Sequence, residues 1–168
     1  MTSPDQHEAT GKTGRVEHRM ERTYQVAATP EQVWAAIATA DGISAWMVPT
    51  RLDPRIGGEV SFDLGGFQSI GVVTDYTPNR RFAYEEPWPR EPDMPTAELD
   101  LSSVSPIATE FLIESASGGS CVIRVVSSAY GAGAEWENEF FAEMVDGWAA
   151  MLDNLATHLN GAAHGAPR

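Results

Sequence analysis

One amphipathic stripe near the C-terminus constrains the fold more than any other feature of the sequence. Between positions 134 and 159, apolar residues recur at steps of three and four, namely Phe141, Met144, Trp148, Met151, Leu152, Leu155 and Leu159. That spacing places them on one face of a long helix. A stripe of this length needs a broad apolar partner, and the only candidate upstream is a β-sheet. We therefore predict one domain over 15–160, with polar tails at 1–14 and 161–168.

The rest of the sequence predicts a run of strands that is interrupted once by helix. Residues 15–28 alternate as a half-buried strand, and Thr29-Pro30-Glu31-Gln32 predicts a capping box that starts a short helix. Asp41-Gly42 should break this helix before one more helical turn over 43–48. Further strands are predicted over 59–64, 69–76 (with Ile70, Val72 and Tyr76 in phase), 81–85, 99–103, 107–115 and 120–129. Because strands follow one another without intervening helices, the class is α+β with an antiparallel sheet of six or seven strands.

The charge balance limits the partners that the chain can bind. A formal net charge of -13 repels phosphate backbones and anionic lipid, which argues against nucleic acid and membrane surfaces as partners. The single cysteine, Cys121, lies in an apolar run and is predicted to be a small buried hydrophobe. Neither a signal peptide nor an 18-residue apolar stretch is present, so we expect a cytoplasmic protein. The expected assembly is a monomer or a homodimer.

Few side chains offer catalytic chemistry. The four histidines lack a Cys or His at ligand spacing, and no nucleophile elbow, P-loop or dinucleotide fingerprint occurs, so no metal or cofactor is predicted. The plausible acid/base groups are the carboxylates of Glu85, Asp100 and Glu110, together with Tyr84. Phe111 and its apolar neighbours set the phase of the strand over 107–113, which puts Glu110 on the opposite face, where solvent is the favoured environment. A carboxylate inside an apolar cup would instead have a raised pKa and could move protons.

Aromatic and methionine side chains suggest a ligand site. The candidate ligand-binding residues, at positions predicted to face a common interior, are Trp46, Phe62, Tyr84, Trp88, Phe111, Met144, Trp148 and Met151. A packed core explains this set about as well as a cavity does. Gly147 slightly favours the cavity. A glycine inside a helix costs up to ~1 kcal/mol against alanine, and that cost is justified if a strand or a ligand must approach the helix closely. The proline-rich segment 85–97 is predicted to be a mobile flap at the cavity mouth.

Several short motifs, in their order and spacing, resemble one known family. They are Ala28-Thr29-Pro30-Glu31-Gln32-Val33-Trp34, Asp41-Gly42 with Ala45-Trp46, Gly57-Gly58-Glu59-Val60, Gly71-Val72-Val73 with Pro78-Asn79-Arg80-Arg81-Phe82, and Gly147-Trp148 with Leu152 and Leu155. Over roughly 16–160 the chain resembles the START-like superfamily (SRPBCC, Bet v 1-like), and within it the bacterial stand-alone Hsp90 ATPase activator homologue 1-like (AHSA1-like) family. The resemblance implies a helix-grip fold, in which a curved antiparallel sheet wraps a long C-terminal helix and encloses a cavity.

Three functions remain open at this point. The preferred hypothesis is a non-catalytic protein that binds a small hydrophobic or aromatic molecule in the cavity. The first alternative is a cyclase- or hydratase-like enzyme that uses a cavity carboxylate or Tyr84 as acid or base. The second alternative, implied by the family name, is an Hsp90-type chaperone co-factor. The fold alone does not choose among them, because it hosts many functions.

Overall fold

Seven antiparallel strands form one curved, open sheet in the computed structural model, which describes residues 16–66, 68–88, 104–116 and 119–163. The spatial order is β1-β7-β6-β5-β4-β3-β2. The strands are β1 (Val16–Val26), β2 (Thr50–Leu52), β3 (Glu59–Asp63), β4 (Gln68–Thr77), β5 (Arg81–Glu86), β6 (Ile107–Ala116) and β7 (Ser120–Gly131). Two short helices follow β1, α1 (Pro30–Ile37) and α2 (Ala40–Trp46), and the long helix α3 (Glu135–Ala163) ends the fold. This arrangement confirms the predicted helix-grip α+β class.

The first helix begins as its sequence predicts. The Thr29 side chain accepts a hydrogen bond from the Gln32 N–H, and the Gln32 side chain accepts one from the Thr29 N–H, which completes the capping box. The predicted break at Asp41-Gly42 is wrong, because both residues lie in the first turn of α2. Thr39 separates the helices instead, since its hydroxyl oxygen accepts a hydrogen bond from the Gly42 N–H and caps α2.

The predicted phase of β4 is wrong over its first half. Ile70 and Val72 are 48% and 41% exposed, whereas Ser69 and Val73 are buried. A bulge between Val73 and Asp75 shifts the register against β5. The extra residue inverts the alternation, so that Tyr76 faces inward and donates a hydrogen bond to the Ala38 carbonyl.

Three further boundaries differ from the sequence predictions or lie beyond what the structure describes. Strand β2 was not predicted, because three residues are too few for a period-two pattern. Helix α3 runs through Gly147 without a break, but it continues past the predicted cap at Asn160-Gly161 to Ala163. The predicted tail 1–14, the strand 99–103 and most of the flap, from position 89 onward, lie outside the described residues.

The core lies between the inner face of the sheet, the two short helices and the C-terminal half of α3. Leu152, Leu155 and Leu159 are at most 2% exposed, and they belong to one cluster with Val33 and Ile37 of α1. Asn160 fixes this end of α3, because its side-chain oxygen accepts a hydrogen bond from the Ala27 N–H. Cys121 is fully buried, as predicted. This part of the core therefore fills the space between the sheet and the C-terminal half of α3, and a site has to lie nearer the middle of the helix.

Candidate functional site

A cavity of about 200 Å³ lies between the sheet and the middle of α3. The residues that line it are mostly apolar: Met47, Phe62, Leu64, Ser69, Tyr84, Glu86, Ile107, Phe140, Met144, Gly147, Trp148 and Met151. Its mouth lies beside Gly147 and Leu64, which are exposed lining residues. A half-open apolar space with a few polar groups is the usual form of a small-molecule site.

The structure brings five of the eight predicted ligand-binding residues together at this cavity. They are Phe62, Tyr84, Met144, Trp148 and Met151. Trp148 contacts both the cavity and the core, because its ring meets the edge of Phe111 at a centroid distance of 6.0 Å and only 5% of it is exposed.

The other three predicted residues do not line the cavity. Trp46 and Phe111 pack against each other at 6.3 Å in the closed core, where the Trp46 Nε1–H donates to the Ala36 carbonyl. Trp88 is 2% exposed and donates from its Nε1–H to the Ser105 carbonyl at 2.7 Å. It packs on Phe140 and Trp136 beside the start of α3. These three rings pack against neighbouring side chains and do not line the cavity.

Glu86 is the polar centre of the cavity and was absent from the sequence candidates. It ends β5, on the inner face with Phe82 and Tyr84. The residue is partly buried as a whole, but its Oε1 atom is fully buried and has no hydrogen-bond partner among the described residues. Gly71 lies on the neighbouring strand β4, where an added Cβ would come within 2.3 Å of the Glu85 carbonyl oxygen and 3.1 Å of the Glu86 Cβ, so the glycine allows β4 to approach the end of β5 closely.

The Ser69 Oγ lines the same cavity and is a second polar atom that has no hydrogen-bond partner in the part of the chain that the structure describes. The hydroxyl lies close enough to Glu86 to favour the ionised carboxylate, but the two groups do not meet in a hydrogen bond. Buried polar atoms without partners are uncommon in native proteins, and each one calls for an explanation such as a bound molecule.

Burial changes the acid–base properties of this site. The pKa of Glu86 is raised from 4.5 to about 7, because burial disfavours the ionised form more than nearby Ser69 favours it. The pKa of Tyr84 is also raised, first by burial and then by the charge of Glu86, against a smaller lowering by Thr109. Glu86 therefore exchanges a proton near neutral pH, while Tyr84 stays protonated there.

The alternation in β5 could have identified Glu86 from the sequence. Phe82 and Tyr84 alternate on one face of the predicted strand, and period two extends that face to position 86. Ser69 could not have been found in the same way, because the bulge in β4 reverses the expected phase.

The carboxylates chosen from the sequence do not enter the cavity where the structure describes them. Glu110 bonds to Arg81 on the outer face of the sheet, and Arg81 also bonds to Asp75. Glu85 follows the same outward alternation as Arg81 in β5. Asp100 lies outside the described residues. The outward placement expected for Glu110 is thus confirmed.

Gly147 leaves open space at the mouth of the cavity. An added Cβ would meet no atom within 4 Å, although the residue lies in the middle of a 29-residue helix. No neighbouring strand needs this glycine for close packing. An alanine would fit here and would stabilise the helix by up to ~1 kcal/mol. The structural effect of the glycine is therefore to keep the mouth of the cavity free of a side chain.

A second buried glutamate, Glu137, secures the start of α3. Its Oε1 accepts hydrogen bonds from His18 Nε2 at 3.0 Å and from the Gly133 N–H, and its Oε2 accepts one from the Ala132 N–H. Burial alone would raise its pKa, but these hydrogen bonds outweigh burial and lower it. Gly131 leaves room for the carboxylate, because an added Cβ would lie 2.3 Å from Oε1. With its partners complete, Glu137 is a structural group.

Two classes of site are not seen in the part of the chain that the structure describes. Within these ranges, no three His, Cys, Asp or Glu side chains converge on a common point where they could hold a metal ion. None of the described helices combines the length and apolarity needed to cross a membrane.

Solved structures share this fold. A structure titled as the solution structure of the Aha1 dimer from Colwellia psychrerythraea is 19% identical, covers 85% of this chain and 96% of its own, and superposes with a TM-score of 0.63. Protein MLL2253 from Mesorhizobium loti is 16% identical, with 83% and 95% covered and a TM-score of 0.66. SA2116 from Staphylococcus aureus, titled a protein of unknown function, is 14% identical, with 92% and 100% covered and a TM-score of 0.68. At these identities the likeness shows the fold alone.

Sequence comparison identifies the family. None of the proteins with curated functions is significantly similar to this chain in sequence. The family model described as "Activator of Hsp90 ATPase homolog 1-like protein" matches residues 27–160, which span α1, α2, six of the seven strands and most of α3. The protein therefore belongs to the AHSA1-like family of the START-like superfamily.

Proposed function

We propose that this protein binds a small, largely apolar molecule in the cavity between the sheet and α3. The observation that carries the proposal is the pair of unpartnered polar atoms, Glu86 Oε1 and Ser69 Oγ, within an otherwise apolar cavity of about 200 Å³. A protein that used this space only as core would be expected to fill it or to pair those atoms.

The side chains around the cavity suit a ligand that binds reversibly. Met47, Met144 and Met151 contribute flexible thioether side chains that can adapt to different shapes. Trp148 and Phe62 supply rigid aromatic surfaces on the helix and sheet sides. Gly147 keeps the mouth open between them.

Binding can be tested by screening small aromatic and acyl compounds for saturable quenching of tryptophan fluorescence. We expect saturation at micromolar concentrations, because Trp148 lines the cavity. Gly147→Leu should weaken binding by about tenfold or more, since a side chain would occupy the mouth. The matched control is Gly161→Leu, at an open and exposed position near the other end of α3. Absence of saturable binding by the wild-type protein, or equal effects of the two substitutions, would contradict the proposal.

Glu86 also favours a second candidate, an enzyme of the cyclase or hydratase kind. A carboxyl group whose pKa is about 7 can accept and return a proton at neutral pH, as general acid–base catalysis requires. The two functions differ in the effect of Glu86→Gln. An enzyme would lose turnover while still binding a neutral substrate, whereas a binding protein would show no turnover to lose.

Assembly and location remain proposals. The Colwellia structure is titled a dimer, and a homodimer is therefore one of the two states we propose for this chain, the other being a monomer. We further propose a cytoplasmic location and, from the family description, a role as an Hsp90-type co-factor. Sedimentation velocity at micromolar concentrations distinguishes monomer from dimer.

A further inference from the structure

The unpartnered atoms of the cavity also bear on the chemical class of its ligand. We propose, building on the proposed function, that the cavity takes a small organic cation: a protonated amine on an apolar, single-ring body, whose ammonium group contacts Glu86 and Ser69.

The first argument is the missing counter-charge. Among the described residues, no Lys, Arg or His lies within ion-pair distance of Glu86, although Glu110, Glu114 and Glu137 all have such partners. A buried carboxylate is costly unless it is paired and hydrogen-bonded. An ammonium group carries the opposite charge and three N–H donors, so one group can supply both Glu86 Oε1 and Ser69 Oγ. A neutral apolar ligand would leave both atoms unsatisfied.

The second argument is the charge around the mouth. Among the described residues, no positively charged side chain lines the cavity, and Asp146 lies next to Gly147 on the exposed face of α3. The whole chain carries a formal net charge of -13. This field attracts a cation and repels a carboxylate or phosphate ligand.

The third argument is the shape and chemistry of the walls. Trp148, Phe62 and Tyr84 line the cavity, and aromatic faces attract cations in addition to packing on apolar bodies. A volume of about 200 Å³ suits one ring with a short chain, since an apolar cavity of ~150 Å³ in another protein binds benzene.

Three probes of nearly equal size separate the ligand classes: 2-phenylethylamine, 2-phenylethanol and 3-phenylpropionate. Calorimetric titration of the full chain at pH 7.5 should show that the amine binds about tenfold or more tightly than the alcohol, because a hydrogen-bonded ion pair replaces a neutral contact. The carboxylate should bind most weakly. Glu86→Gln should reduce the affinity for the amine by about tenfold while changing the affinity for the alcohol by less than about threefold.

The adjacent carboxylate provides the matched control. Glu85 points to the other face of the sheet, so Glu85→Gln makes the same change in net charge and should leave the binding of all three probes unchanged. If the alcohol binds as tightly as the amine, or if Glu86→Gln leaves amine binding intact, the cation assignment is overturned while the proposed binding function stands. If none of the three probes nor any compound of the wider screen binds, the proposed function fails with it.

Discussion

Glu137 and Glu86 are glutamates with buried carboxyl oxygens, one within α3 and one facing it, but their surroundings are opposite. Glu137, in the first turns of the helix, accepts hydrogen bonds from His18 and from two backbone N–H groups, and its pKa is lowered. Glu86, beside the middle of the helix, has a buried oxygen without a hydrogen-bond partner in the described ranges, and its pKa is raised to about 7. The Glu137 carboxylate has hydrogen-bond partners on both oxygens within the described protein. The Glu86 carboxylate has an oxygen that lacks such a partner there, and a ligand could provide it.

The packing around the two residues differs in the same sense. Around Glu137, the rings of His18, Trp88 and Phe141 pack closely, with centroid distances from His18 of 6.3 Å to Trp88 and 5.4 Å to Phe141. Around Glu86 the side chains leave a cavity, and Gly147 contributes no side chain at all. The comparison shows a start of α3 that is packed and paired and a middle that borders an open cavity, where we propose that a ligand binds. Four predictions test this contrast.

The largest effect is expected from breaking the buried pair. Glu137→Ala should lower the free energy of unfolding by about 3–5 kcal/mol, because it removes a completely partnered buried carboxylate and leaves His18 and two N–H groups unsatisfied. Urea denaturation measures the change. Glu139→Ala, at an exposed position of the same helix, is the control and should stay within about 0.5 kcal/mol. A cost below ~1 kcal/mol for Glu137→Ala would remove the distinction between the two glutamates.

Each of the two regions contains a buried tryptophan, Trp88 beside the start of α3 and Trp148 at its middle. We expect truncation of the two to lower the free energy of unfolding by unequal amounts. Trp88→Ala should lower the free energy of unfolding by about 3–5 kcal/mol, since its ring is 2% exposed, packs on Phe140, and donates its N–H to a hydrogen bond. Trp148→Ala should cost less, about 2–3 kcal/mol, because part of its ring already faces the cavity. The same denaturation experiment compares them, and a larger cost at Trp148 would indicate that the cavity closes in solution.

The two glutamates should give opposite dependences of stability on pH. The raised pKa of Glu86 means that the folded state holds a proton which the unfolded state loses near pH 4.5. Its contribution to the free energy of unfolding is therefore fully present below pH 4.5 and is lost, by about 2–3 kcal/mol, as pH rises through 7. Glu137 has a lowered pKa, so its contribution is present above pH 4.5 and is lost as pH falls.

Urea denaturation between pH 4.5 and 8 resolves the contribution of Glu86. Glu86→Gln should flatten the decline of stability over this window, while Glu85→Gln should preserve it. An identical pH profile for the wild-type protein and Glu86→Gln would show that the Glu86 carboxyl is solvated and does not keep its proton.

The smallest effect concerns the glycine at the mouth. Gly147→Ala should raise the free energy of unfolding by about 0.5–1 kcal/mol, because helix propensity improves and the new methyl group meets no atom. Gly161→Ala, near the end of the helix, should stabilise less. If Gly147→Ala instead destabilises the protein, the middle of α3 packs against something and the mouth is closed.

The sequence predicted much of the fold because its strongest signals are local and periodic. The stripe of α3, the alternation of β1 and the capping box at Thr29 each lie within a short window, and all three are confirmed. The errors arose where a single residue changed the phase or where a cap outweighed a turn signal. One extra residue in β4 exposed Ile70 and Val72, and Thr39 capped α2 ahead of Asp41-Gly42.

The candidate site was predictable only in part, for the same reason. Phe62, Tyr84, Met144, Trp148 and Met151 line the cavity because their periodicity points them inward. Periodicity also points Trp46 and Phe111 inward, and it does not say which inward residues touch each other and which face empty space. That distinction depends on how closely the sheet approaches each turn of α3.

The sequence by itself determined that a sheet would wrap a long helix, which residues would face inward, and that the chain would be strongly acidic. Only the tertiary structure decided that the inward surface would be filled at the end of α3 and open at its middle. It also decided that Glu137 would find partners and that Glu86 would not. The physical reason is that hydrophobic periodicity reports the direction of a side chain, whereas burial, pairing and pKa depend on neighbours brought together from distant parts of the chain.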